Sequence, residues 1–332
     1  MVVNASVRVA LKAILIGLAA MVWSLLPGSA TEAEACALHS SAPPMTMDGA
    51  HDQEQEKEGD QEAHQQEGSP AEEATESGFR GGFLRATGVH GSLRFGEGDA
   101  GRADLEESQM MIQGGISIGR ALRVMASLPL ARRSLDLPDG SYQRLQGAGD
   151  LGLEVQFALS EFVATGSTSV ELMAGTLLPT GSLVRQSNGE WYHPDVQLGA
   201  GVVAPRAGVA LGFELVRGLH MHLGVDGIWA PPSPDGVQRS ATLRGESRFR
   251  WSPVQKLGLD LGLGLRHQGV SRSDGEVEMT TGGTLLALDS MLRWHPLSKW
   301  TLEAGANLPL WQGLRGGQRE SIRLQVGVGM RF

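Results

Sequence analysis

The sequence predicts an all-β fold, a transmembrane antiparallel up-and-down β-barrel of about twelve strands. Three observations support this fold class. Apolar and polar residues alternate with period two through most of the chain after residue 79, short and long connections alternate between these segments, and the N-terminus has the composition of an export signal. The single cysteine, Cys36, excludes an intramolecular disulfide scaffold.

Residues 1–30 are predicted to be a secretory signal peptide. Arg8 and Lys12 precede or flank an apolar run from Ala13 to Leu26, which is followed by small residues. This run is shorter than the ~20 residues that a spanning helix needs. We expect cleavage after Ala30 or, alternatively, after residue 35, and therefore export from the cytoplasm of a Gram-negative bacterium.

The segment 31–78 is predicted to be a disordered, acidic periplasmic tail. Residues 48–76 contain eleven acidic residues and one lysine, a net charge of −10, whereas residues 1–47 are neutral and residues 77–332 carry +1. The tail has almost no large apolar residue to bury. The near-neutral remainder presents no basic face for nucleic acid.

The tail also contains side chains that copper or zinc would select. Their spacing fits no closed site, so the alternatives are weak metal binding and a plain solvated spacer. The weak metal candidates are Cys36, His39, Met45, Met47, His51 and His64.

The segment 79–332 is predicted to be the outer-membrane barrel. In residues 257–265 every second residue is leucine, so that one face of a strand is apolar while Asp260 lies on the other. Similar alternation predicts strands near 82–95, 107–118, 121–131, 149–159, 168–178, 206–215, 219–229, 241–251, 256–266, 283–294, 300–308 and 321–332.

The connections between these segments alternate in length. Short links are expected near 119–120, 160–167, 216–218, 252–255 and 295–299. Longer links, richer in polar residues, Gly and Pro, are expected near 96–106, 132–148, 179–205, 230–240, 267–282 and 309–320. This parity places both ends of the barrel segment on the short-turn side, which is the periplasmic side of an outer-membrane barrel.

A soluble sandwich or lipocalin-like barrel would use the same alternation with its apolar face inward. Abundant glycine on the polar face and the small number of aromatic residues, 8 Phe and 2 Tyr, favour the membrane barrel instead. Three tryptophans at strand ends beside short turns are expected to form part of an interfacial aromatic girdle: Trp251, Trp294 and Trp300.

Four motifs resemble a family of bacterial outer-membrane proteins named for the meta-pathway of phenol degradation. They are the segments 147–152, 178–182, 193–199 and 282–310. The resemblance spans about residues 80–332, although the loop 186–191 cannot be aligned. It implies an outer-membrane transporter, and the terminal Phe332 resembles the signal that the barrel assembly machinery reads. Outer-membrane lipid and that machinery are the partners implied.

The polar face of the strands is expected to line the lumen with charges of both signs. His220, His222 and Asp226 could alternatively seed a metal or acid–base site. The same alternation also places Arg94 inward. The lumen-lining candidates are Arg244, Glu246, Arg248, Arg250, His220, His222, Asp226, Asp260, Arg266, Asp289, Arg293, Glu303 and Arg323.

Two patterns that resemble enzyme motifs lack the required context. Residues 115–119 have nucleophile-elbow spacing but end an alternating strand, and residues 147–152 have dinucleotide-fingerprint spacing but lead into another strand. We therefore expect no enzyme and no cofactor. The expected function is a transporter or passive channel for small solutes, including hydrophobic or aromatic ones. The alternatives are a non-conducting anchor or metal-handling partner and, third, a lipid-modifying enzyme.

Overall fold

The computed structural model describes residues 79–95, 103–136, 142–159, 168–185, 189, 191–192, 196–234, 236–254, 256–278 and 281–332. The predicted signal peptide, the acidic tail and the tail's metal candidates lie outside these residues. No helix among the described residues is long and apolar enough to cross a membrane.

Seventeen β-strands form in the described part of the chain. They are β1 (Phe79–Phe95), β2 (Ala103–Ile118), β3 (Leu122–Asp136), β4 (Tyr142–Ala148), β5 (Leu151–Ala158), β6 (Thr168–Leu178), β7 (Ala204–Val216), β8 (Leu219–Ile228), β9 (Val237–Gln238), β10 (Thr242–Val254), β11 (Leu257–Gln268), β12 (Arg272–Ser273), β13 (Glu276–Val277), β14 (Gly283–Leu297), β15 (Trp300–Leu314), β16 (Arg319–Glu320) and β17 (Arg323–Arg331).

Within the described residues these strands close into an antiparallel barrel whose wall has twelve positions. We call each position a stave, which is one strand or two consecutive strands that continue one another. The staves follow chain order, with β4 and β5 together forming the fourth. β1 pairs with both β2 and β17, which closes the ring. The short strands β9, β12 and β13 form a separate small sheet in the connections, and β16 extends the last stave along β1. The predicted fold class is confirmed.

The outer face of the barrel is apolar, as lipid contact requires. Leu261, Leu263 and Leu265 on β11 are all more than two-fifths exposed, whereas Asp260, the residue before Leu261, is buried. Alternation across the sheet therefore places leucine outside and charge inside, the reverse of a soluble barrel.

Two belts of tryptophan bound this apolar band. Trp251, 52% exposed, lies opposite Leu219 near the short-turn end, where Trp294 and Trp300 also lie. Trp229 and Trp311, 58% and 55% exposed, lie toward the long-loop end. From Leu219 to Trp229 the strand advances about 33 Å, or about 25 Å along an axis tilted by about 40°, the height of an outer-membrane apolar band.

The long-loop ends of β2, β3 and β4 differ from the prediction. Residues 132–148 do not form a long link, because β3 continues to Asp136 and β4 pairs with it. In this part of the wall the apolar residues face inward: Leu105 and Leu135 are fully buried. Along these strands the apolar residues switch from the outward face to the inward face. A strand prediction that follows one continuous apolar face therefore ends before these extensions.

The connection between β6 and β7 supplies the other half of this inner core. Its Tyr192 and Val196 pack against Leu93, Leu105 and Leu135. The described residues of this connection, 179–185, 189, 191–192 and 196–203, thus fold over and into the long-loop end of the barrel.

Candidate functional site in the barrel lumen

The thirteen predicted lumen residues lie on one face of their strands, the inward one. Arg244, Arg248 and Arg250 alternate along β10, and their register partners Arg266 and Asp260 on β11 share that face. Arg94 does not belong to this set, because its parity on β1 is that of the outward face. It pairs with Asp104 at 3.0 Å, with side chains 53% and 43% exposed.

Five of the inward charges connect into a continuous chain near the short-turn end, which we call the charged belt: Arg85, Glu303, Arg293, Asp260 and Arg250. Glu303 accepts from Arg85 Nη2 at 2.5 Å and lies 3.5 Å from Arg293 Nε. Asp260 Oδ2 lies 2.7 Å from Arg293 Nη2, and its Oδ1 accepts from Arg250 Nε at 3.2 Å. The belt connects strands β1, β15, β14, β11 and β10.

A glycine allows this belt to cross β17, which lies between β1 and β15. A Cβ atom on Gly327 would stand 3.0 Å from Glu303 Oε2 and 3.2 Å from Thr87 Oγ1. The missing side chain leaves room for the Arg85 guanidinium to reach Glu303 over the intervening strand. Abundant glycine on the polar face is therefore partly a requirement of ion pairing across strands.

A second group of inward charged side chains, which we call the second tier, lies nearer the long-loop end. It contains Arg206, Arg244, Arg266, Arg323, Glu154, Asp226 and Glu320. Arg244 stands in register with Asp226 on one side and Arg266 on the other. Arg206 donates to Asp226 at 3.0 and 3.2 Å and lies 3.4 Å from Glu154.

Glu320 joins two further arginines in this tier. It lies 2.8 Å from Arg323 and also pairs with Arg266. The tier therefore contains four guanidinium groups, on β7, β10, β11 and β17, and two of them, Arg244 and Arg266, are direct cross-strand partners.

Two cavities occupy the lumen around this tier. The central cavity, about 150 Å³, is lined by strands from β5 to β17 and includes Asp226, Glu246 and Asp289. The loop-side cavity, about 120 Å³, includes Asp150, Glu154 and Leu198. Arg244 lines both cavities, so its side chain stands where one meets the other.

His220 and His222 lie opposite Arg250 and Arg248 across the β8–β10 pair. Asp226 is bound by Arg206 instead of approaching the histidines. Over the described ranges, no three His, Cys, Asp or Glu side chains cluster as a metal site would require. The position of the two histidines is that of polar lining beside the arginines of β10.

The loop 179–203 is attached to the wall by Asp150, at the break between β4 and β5. The carboxylate of Asp150 accepts hydrogen bonds from Gly181 N at 3.0 Å and Ala200 N at 2.7 Å. Thr180 completes the attachment by donating to Gly149 O at 3.0 Å. The residues 147–152, which have dinucleotide-fingerprint spacing, are thus a kinked stave that holds a loop.

Gln197 organises the interior of that loop. Its fully buried amide accepts from Val184 N at 2.7 Å and donates to Val184 O and Tyr192 O at 2.8 and 3.1 Å. The backbone carbonyl oxygen of Gln197 accepts hydrogen bonds from Arg133, at 3.0 Å, and from Arg239. Three of the motifs quoted for the family resemblance, within 147–152, 178–182 and 193–199, therefore meet in one assembly.

Sequence reasoning missed several members of the lumen network: Arg85, Glu107, Arg133, Arg206, Arg239 and Glu320. Arg85 lies on a strand whose inward face is otherwise mostly uncharged, and Arg206 is the first residue of its predicted strand. A signal was present for Arg206, because inward acids on the neighbouring staves require a cation nearby. Arg133 and Glu320 fall in segments predicted as links.

The comparisons with known proteins bear on the fold. No protein-family model and no curated protein matches the chain. A crystal structure of an outer-membrane channel from Pseudomonas putida F1 is similar over 80% of this chain and 100% of that chain, with 16% identity and a TM-score of 0.64. The transport unit of the autotransporter AIDA-I from Escherichia coli matches 80% of this chain and 93% of that chain, with 10% identity and a TM-score of 0.46.

The chain thus has the fold of a porin-like outer-membrane β-barrel. The similarity to the Pseudomonas channel at this level of identity establishes the architecture.

Proposed function

We propose that this protein is a passive outer-membrane channel for small solutes. The observation that carries the proposal is the pair of adjoining cavities inside a closed barrel, both lined by charged and amide side chains together with apolar ones. Buried charges are retained in a lumen where they meet water or solute, and the apolar side chains beside them can contact the hydrophobic part of a solute. Passage of hydrophobic or aromatic solutes stays a prediction from the family resemblance.

The proposed orientation puts the short turns, the acidic tail and the C-terminus in the periplasm and the long loops outside. The parity of the connections supports it, because outer-membrane barrels have short periplasmic turns. In this orientation the loop 179–203 restricts the external entrance, and the charged belt forms the narrow layer at the periplasmic end. Outer-membrane lipid and the barrel assembly machinery are the proposed partners.

Planar-bilayer recording of the refolded full chain tests the channel. We expect discrete conductance steps from protein whose electrophoretic mobility shifts on heating, which identifies the folded barrel. A folded protein that stays silent across the voltage range would contradict the proposal.

A non-conducting barrel is the second candidate. The charged belt and the attached loop favour it, since both place side chains inside the barrel. A folded but silent barrel, combined with altered metal sensitivity after deletion of residues 48–76, would support an anchor or metal-handling role through the tail. Enzymatic action on lipid lacks a specific observation in its favour.

A further inference from the structure

The central cavity separates positive from negative charge along the barrel axis. Arg244, Arg266 and Arg323 line it at the long-loop ends of β10, β11 and β17. Glu246, two residues further into β10, and Asp289, within β14, line it nearer the short-turn end. Asp226 also lines the cavity, in register with Arg244, but its carboxylate is bound by Arg206. A solute in this cavity therefore meets three guanidinium groups toward one end and the carboxylates of Glu246 and Asp289 toward the other.

Glu246 and Asp289 each use one carboxylate oxygen in a hydrogen bond. Glu246 Oε2 accepts from Arg248 at 3.0 Å, and Asp289 Oδ1 accepts from Asn307 at 2.6 Å. Since a carboxylate can accept about four hydrogen bonds, both groups retain capacity for an ammonium. Asp289 Oδ2 faces Gly264, where a Cβ atom would stand at 3.0 Å, so that the absent side chain leaves space beside this oxygen.

Part of the cavity wall is apolar. Met173, Leu285 and Ala287 contribute to it. A short methylene chain can contact these side chains while its termini reach the charges.

From this arrangement we infer that the central cavity is a binding site for a small zwitterion. Its carboxylate binds Arg244, Arg266 and Arg323, and its ammonium binds Glu246 and Asp289. The inference deepens the proposed channel function and rests on it for the entry of the solute. Two successive inward positions on a strand are about 6.6 Å apart, which suits a charge separation of several bonds.

Binding of such a solute is expected to be weak. A solute that passes through a channel must enter favourably and still leave, so the site cannot hold it tightly. Guanidinium groups suit a carboxylate because their planar donors match its two oxygens. A dissociation constant near 1 mM, or about −4 kcal/mol, fits these requirements.

The test uses three probes of the same carbon skeleton: 4-aminobutyrate, butyrate and butylammonium. Binding to the refolded full chain in detergent micelles is measured by titration calorimetry. We expect 4-aminobutyrate to bind at least about tenfold more tightly than either singly charged analogue, a difference of about 1.4 kcal/mol. Equal affinity for the three probes would overturn the assignment, and this arm requires no variant.

Variants locate the site. Arg244→Gln and Asp289→Asn are each expected to weaken 4-aminobutyrate binding at least about fivefold. The matched controls are Arg331→Gln and Glu214→Gln, inward residues near the short-turn end that line neither cavity. An equal loss in the controls would overturn the site.

Bilayer conductance, recorded on the same samples, separates this inference from the proposed function. A barrel that conducts but does not discriminate among the probes overturns the zwitterion site alone. A barrel that binds 4-aminobutyrate selectively but conducts no ions supports the site and contradicts the channel.

Discussion

At the scale of single residues, Asp150 determines whether the loop 179–203 stays in the barrel mouth. Its carboxylate receives two backbone N–H groups from opposite ends of the loop, Gly181 and Ala200. An aspartate can accept both because it has no donor of its own. An amide at this position would turn an NH₂ group toward at least one of the two donors.

The variant Asp150→Asn is therefore expected to loosen the loop. Loss of one buried hydrogen bond should lower the free energy of unfolding by about 1–3 kcal/mol. Hydrogen exchange of the Gly181 and Ala200 amides should become faster, as NMR can measure. Glu214→Gln is the control, since its side chain lies far along β7 from the loop. Unchanged exchange at both amides would show that the carboxylate does not hold the loop.

Close backbone approach at Gly199 gives a second residue-scale prediction. A Cβ atom there would stand 2.3 Å from Gly181 O, inside the van der Waals limit, so Gly199→Ala must displace one strand of the loop from the other. We expect a larger single-channel conductance and faster protease cleavage between residues 179 and 203. Gly245→Ala is the control, because the nearest atom to its added Cβ is 3.9 Å away. Identical cleavage rates in the two variants would contradict the prediction.

At the scale of the structural element, the charged belt joins five staves, of which β1 and β15 are separated by β17 and the others are neighbours in the sheet. Glu303 is buried and lies 2.5 Å from Arg85 and 3.5 Å from Arg293, so removal of its carboxylate breaks the ion pair of Arg85 and leaves Arg293 with Asp260 at 2.7 Å. Breaking one partner out of a buried pair costs about 3–5 kcal/mol, whereas an exposed pair is worth about 0.2–1 kcal/mol.

Glu303→Gln is accordingly expected to lower the temperature at which the heat-modifiable gel band is lost, and to do so far more than Asp104→Asn. The latter breaks the exposed Arg94–Asp104 pair on the outer wall. Each variant replaces one carboxylate by its amide. Glu303 pairs with two buried arginines and Asp104 with one exposed arginine, so the comparison measures burial together with the second pair. Similar decreases of this temperature in the two variants would mean that water reaches the charged belt freely.

The elements also show where prediction from sequence succeeds. The strand β11 is predictable in full, because its leucines face lipid along the whole segment from Leu257 to Leu265 and its charges face the lumen. The stave β4–β5 is predictable only in its second half. Beyond the apolar band, toward the long loops, Leu135 faces an inner core. The alternation of apolar and polar residues changes face there, and the sequence does not show where the membrane ends.

At the scale of the whole molecule, ring closure depends on the meeting of the first and last staves. Phe332 N donates to Gly82 O at 2.9 Å, and Gly82 N donates to Phe332 O at 2.7 Å. The Phe332 ring lies over Gly82, where a Cβ atom would come within 2.8 Å of it. The terminal aromatic ring therefore covers the glycine at the junction between the first and last staves, which we call the seam. This contact is separate from its predicted role as an assembly signal.

Phe332→Ala is expected to reduce the fraction of protein that becomes heat-modifiable in the outer membrane, because the seam loses the ring that covers Gly82. Quantification of the folded and unfolded bands after expression measures this fraction. Phe249→Ala removes an outward-facing aromatic ring in the middle of β10 and serves as the control. Equal folded fractions for the two variants would assign no special role to the terminal ring.

The whole lumen network was only partly predictable. Alternation is sufficient to assign Arg244 and Asp289 to the inner face, because side-chain direction follows parity within a strand. Which acid meets which arginine depends on register across several staves, as for Arg206 with Asp226. The loop that carries Gln197 has no period at all, so its inward fold follows from buried hydrogen bonds that no sequence pattern reveals.

The charged belt has one further consequence, for electrical behaviour. Its three arginines and two acids sum to one positive charge, held close to one end of the lumen instead of at its centre. An open barrel with this off-centre charge rectifies, passing unequal currents at opposite voltages of equal size. The sign of that inequality then reports which way each molecule has inserted into a bilayer.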